Sequence, residues 1–151
     1  MSFQEKNVAV TLANFSLILL FFLVRVFQLI RNDNFTPSAM FRVWVTVIVI
    51  AVFVTIAATI LTHIVSAIIE VIQTGNDEPE IEDFEDERDK LIDLRGTQLT
   101  YSITSFGSFI AMLTFALGQP PLTMFSLLIL FGLIGQIAGD TRRLRLYRGG
   151  M

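Results

Sequence analysis

Cysteine is absent from this chain of 151 residues, and histidine and tryptophan occur once each. Without a thiol there can be no disulfide, thiolate metal site, iron–sulfur cluster or cysteine nucleophile. No nucleophile elbow, glycine-rich phosphate loop, HExxH helix or paired-acid arrangement occurs either, so nothing in the motifs points to an enzyme or to a bound cofactor. Charge is missing altogether from Gly96 to Gly139, a run of 44 residues interrupted only by Gly118, Gln119, Pro120 and Pro121. In their place the chain has apolar residues: 53% of the total, with fourteen phenylalanines and a mean hydropathy of +0.65.

The long uncharged run reads as two membrane spans joined by a tight turn, at about 97–118 and 121–139. Two earlier apolar runs, at about 8–30 and 43–70, bring the number to four, each near the ~17 to 25 residues needed to cross a bilayer. The expected fold is therefore all-α: an integral membrane four-helix bundle, with no stretch left for a separate soluble domain. The first run follows Glu5 and Lys6 and continues into Arg25 without a small-residue cleavage pattern, so it reads as a retained span. Gly118 is a natural helix stop, and the prolines after it can open the next helix. Arg31 to Phe41, with Asn32, Asp33, Asn34 and Pro37, has the composition of a loop. Trp44 stands at the mouth of the second span, where amphipathic aromatics are favoured.

Charges are segregated. Eleven of the fourteen acids lie between Glu70 and Asp93. With four crossings, the N-terminus, the connection at 73–96 and the C-terminal tail at 140–151 share one side, which holds eight of the eleven basic residues. The positive-inside rule then places both termini in the cytoplasm of a cell-membrane protein. Within the connection, Ile81, Phe84, Leu91 and Leu94 recur at helical spacing. This predicts a short amphipathic helix at the cytoplasmic surface before the third span, bent at Gly96. The acids from Asp77 to Glu87 could attract divalent ions but lack the positional pattern of an EF-hand, so no specific metal site is expected.

Four groups of residues could carry function. On the second span, Thr55, Thr59, Thr62, His63, Ser66 and Glu70 fall within a ~100° arc, forming one polar stripe. It reads first as a packing face and otherwise as a proton or ion path of a small oligomeric transporter or channel. On the third span, Thr97, Thr104, Ser108 and Ala111 form a small-residue face that includes Tyr101. Gly135 and Gly139 of the fourth span form a small-xxx-small pair suited to internal contact, and Gln136 beside them needs a buried partner. In the tail, Arg142, Arg143, Arg145 and Arg148 beside a membrane predict contact with anionic lipid headgroups. So short a basic patch among so many acids argues against nucleic acid.

The fourth group is Asp86-Glu87-Arg88-Asp89-Lys90-Leu91-Ile92-Asp93-Leu94-Arg95-Gly96, followed by Tyr101 within a span. It resembles the signature of small uncharacterised prokaryotic membrane proteins in which a DER-x-x-x-I-x-x-[RK] element precedes the third of about four spans. The likeness rests on Asp86, Glu87, Arg88, Ile92, Arg95 and Tyr101, and it implies an architecture without naming an activity. Physically, Asp86, Glu87, Arg88 and Arg95 predict a docking surface for a partner, either other membrane subunits or a second copy. The expected role is a non-enzymatic accessory, assembly or regulatory subunit of a larger membrane complex.

Overall fold

The computed structural model describes residues 3–74 and 87–149. Four helices account for almost all of them: α1 (Phe3–Arg31), α2 (Pro37–Thr74), α3 (Glu87–Ala116) and α4 (Pro121–Gly149). Each contains a segment long and apolar enough to cross a membrane, and at most 22% of any such segment is buried within the protein. Leu17, Phe27, Phe53 and Phe109 are each more than 60% exposed. In water, apolar surface on this scale would drive aggregation. In lipid it is matched by its solvent, while helical hydrogen bonding satisfies the backbone. The described residues are all-α, in four helices, and their apolar surfaces mark a multi-pass membrane protein.

Both described turns close in the same way. Gly118, at φ +85°, follows α3, with the Gln119 and Gly118 amides donating to the carbonyls of Thr114 (3.1 Å) and Phe115 (3.0 Å). After α1, Asp33 at φ +50° takes the left-handed position, with the Asn34 amide on Leu29 (2.9 Å) and the Asp33 amide on Ile30 (3.2 Å). These are paired Schellman closures, which satisfy carbonyls that a helix end leaves open. Thr36 then caps α2 by accepting from the Ala39 amide (3.4 Å), and Pro37 occupies the first helical position, where its missing N–H costs nothing.

These closures explain where the helices outrun the expected spans. The loop expected at Arg31 to Phe41 is only Asn32 to Thr36, because Thr36 and Pro37 start α2 early. At 38 residues α2 is ~57 Å long, against a hydrocarbon core of ~30 Å, so it must tilt or project well beyond the bilayer. The short helix expected before the third span is continuous with it through Gly96. Residues 87–95 belong to α3, and the space that Gly96 leaves open is filled by Arg143 of the neighbouring helix. Ile81 and Phe84, which contributed to the expected separate helix, lie outside the described residues. The basic segment is likewise no loose tail but the last turns of α4, helical to Gly149.

The helices associate in the order α3, α4, α1, α2, with α4 packed along both α3 and α1. One side of α4 joins an apolar core: Leu133 with Ile18 and Phe22 of α1 and Met40, Val43 and Val47 of α2, backed by Leu122, Ile129 and Leu130. Its other side meets α3.

Candidate functional site

The α3–α4 contact is built from small residues. Phe131, Gly135, Gly139 and Arg143 recur every four positions on α4, so they align on one face. A methyl group added at Gly139 would lie 2.9 Å from the Gly96 carbonyl oxygen, and one at Gly135 would lie 2.6 Å from Thr104 Oγ1 and 3.1 Å from the Thr100 carbonyl. Backbone therefore meets backbone, as the small-xxx-small spacing predicts. Further along, the Phe131 side chain fills the space over Gly107, and Ala111 is fully buried. The contact face of α3 is thus Gly96, Thr100, Thr104, Gly107 and Ala111. Tyr101, expected among the small residues, points outward at 68% exposure.

At the end of the pair nearest the chain termini, the small residues give way to a polar cluster. The Arg143 stem crosses Gly96 so closely that a Cβ there would lie 2.7 Å from Nε. Beyond Gly96 each guanidinium nitrogen has its own acceptor. Nε donates to Asp93 Oδ1 (2.9 Å), Nη1 to Asp140 Oδ1 (2.7 Å) and Nη2 to Thr97 Oγ1 (2.7 Å). Gln136 Nε2 donates to both oxygens of Asp140 at 3.2 Å, the buried partner that its position required. The Thr97 hydroxyl also reaches Asp93 Oδ2 (3.5 Å).

Burial ranks these contacts. The Asp140 side chain is 3% exposed and that of Arg143 13%, whereas that of Asp93 is 62% exposed. An exposed pair contributes ~0 to 1 kcal/mol, while removing one partner from a buried pair costs ~3 to 5 kcal/mol through the charge left behind. The Asp140–Arg143 bond is therefore the demanding one, and Asp93 steers the guanidinium across to α3. Chemically the cluster is a clamp. An arginine guanidinium offers five donors, no acceptor, and protons it does not release at physiological pH, so it suits holding two helices together better than passing protons. A second tie stands at the same end, where Arg148 Nε on α4 meets Glu5 Oε1 on α1 at 3.3 Å.

Of the four tail arginines expected at lipid headgroups, Arg142 and Arg145 are exposed and Arg148 is 62% exposed in its side chain while reaching Glu5. Arg143 departs from that expectation, because its guanidinium is bonded within the helix pair. Glu87, Arg88 and Arg95 are exposed, and Ile92 between them is fully buried. Asp86 lies outside the described residues. Of the polar stripe on α2, Thr55 is exposed, and the side chains of Thr59, Thr62, His63, Ser66 and Glu70 are outside the described set. Asp93, Thr97 and Asp140 do not stand out as a group in the sequence. Their trace in the sequence is Asp140, an acid ending the uncharged run with Gln136 four residues before it and Arg143 three after.

Comparison of the chain with protein-family models, with curated proteins and with solved structures finds no match. The resemblance carried by Asp86 to Tyr101 rests on those residues alone.

Proposed function

We propose that this protein is a non-enzymatic accessory, assembly or regulatory subunit of a larger membrane complex, seated in the cell membrane with both termini cytoplasmic. The observation that carries the reading is the first turns of α3. Ile92 is fully buried, which holds this stretch of helix against the protein, and Glu87, Arg88 and Arg95 stand exposed around it. Among the described residues, neither Arg88 nor Arg95 joins an ion pair. The helix fixes the backbone beneath these groups before a partner arrives, so only side chains remain to be ordered, and arginine forks suit carboxylates or phosphates. Eight of the eleven basic residues lie on the side of the termini, which supports the cytoplasmic assignment.

The test is co-purification in mild detergent followed by mass spectrometry. Replacing Glu87, Arg88 and Arg95 by alanine is expected to release an accompanying membrane protein while the chain still inserts, and an unchanged set of companions contradicts the proposal. The competing role, transport along the α2 stripe, would be favoured by proteoliposome flux that disappears with His63→Ala.

A further inference from the structure

At the opposite end of the molecule, beside the α1–α2 turn, a cleft of about 370 Å³ is lined by Phe21, Arg25 and Leu29 of α1, Asn34 of the turn, and Ala39, Arg42, Val43 and Thr46 of α2. Its two arginines come from different helices and share one cavity. Arg25 Nη1 donates to Gln28 Oε1 (3.2 Å), and among the described residues no ion pair includes Arg25 or Arg42. No carboxylate lines the cleft among the described residues; Asp33, the nearest acid in sequence, is exposed on the turn. Two cations have thus been brought to one place without an anion from the protein.

Their depth indicates what the anion is. Arg25 lies six residues before the end of α1 and Arg42 five after the start of α2, roughly 7 to 9 Å from the helix ends at 1.5 Å per residue. With the α1–α2 turn at the bilayer surface, that depth is the headgroup and upper acyl level, which also suits Trp44, two residues beyond Arg42 on α2 and 40% exposed. The remaining walls, Phe21, Leu29, Ala39 and Val43, are apolar. The Thr46 hydroxyl donates to the Arg42 carbonyl (2.8 Å), so the donors facing an anion are two guanidiniums and the Asn34 amide, and such a set among apolar walls matches the junction of a phosphate with its glycerol and acyl chains. We propose that this cleft binds the phosphate of an anionic phospholipid, with Arg25 and Arg42 as its ligands.

The experiment is native mass spectrometry of the full chain, delipidated and then titrated with phosphatidylglycerol or phosphatidylcholine. Phosphatidylglycerol is expected to be retained in preference. The Arg25→Gln/Arg42→Gln pair should weaken its binding by roughly fivefold per arginine, while Arg31→Gln, outside the cleft, should not. Millimolar inorganic phosphate should fail to displace the lipid. Equal retention of the two lipids, unchanged binding in the glutamine pair, or displacement by free phosphate would each overturn the assignment. Should the glutamine pair fail to fold, Arg25→Lys/Arg42→Lys decides instead. These keep the charge but not the fork, so weakened binding is expected, and undiminished binding would count against the site.

Discussion

The two faces of α4 solve the same problem by different means. Toward α1 and α2 it presents Leu122, Ile129, Leu130 and Leu133, large side chains packed against Phe22, Met40 and Val47. Toward α3 it presents glycines, then Arg143 held by Asp93, Thr97 and Asp140. In water the first face would dominate, since apolar burial drives folding there. In a bilayer the lipid tails are as apolar as leucine, so burying Leu133 against Phe22 gains only what close packing adds. Backbone proximity and polar bonds have no such competitor. The α3–α4 face should therefore define the helix pairing more sharply than the apolar core.

Substitutions on each face can break that comparison. The largest effect is expected from Arg143→Ala, which strands the Asp140 carboxylate and should lower stability by ~3 to 5 kcal/mol in an unfolding titration with denaturing detergent. Gly139→Val comes next. Its side chain would collide with the Gly96 carbonyl and with Thr100, and overpacking of this kind costs ~1 to 3 kcal/mol. Leu133→Ala should fall below the ~2 to 5 kcal/mol of a water-soluble core, because the transfer part of that cost vanishes in lipid. Asp93→Asn is expected to cost no more than ~1 kcal/mol, since that carboxylate is largely exposed. A loss at Leu133 as large as that at Arg143 would show that the apolar face governs after all.

Much of the architecture was legible in the sequence because hydropathy reports directly on lipid. Uncharged runs gave the four helices, and Gly118 with its two prolines gave the α3–α4 turn. What escaped depends on neighbours. Gly96 looks like a bend when read along its own helix and becomes a contact once Arg143 is seen crossing it. Arg143 looks like its neighbours Arg142 and Arg145 in a list of charges. Only the 3.6-residue repeat carried through from Gly135 and Gly139 places Arg143 inward, facing α3, and the other two outward. The helices also run past the apolar spans, with Thr36 capping α2 ahead of its span and Asp140 and Arg143 bonded on the last turns of α4, features that hydropathy does not report.

The account depends on Arg143 being spent inside the protein rather than on lipid phosphate, and a double-mutant cycle measures this directly. Unfolding of Arg143→Gln, Asp140→Asn and the combined variant in the same lipid–detergent mixture yields the coupling between the two side chains. A favourable coupling of about 1 to 3 kcal/mol is predicted, with the pair losing less than the sum of the single variants. Strictly additive losses would contradict it, leaving the guanidinium free of Asp140.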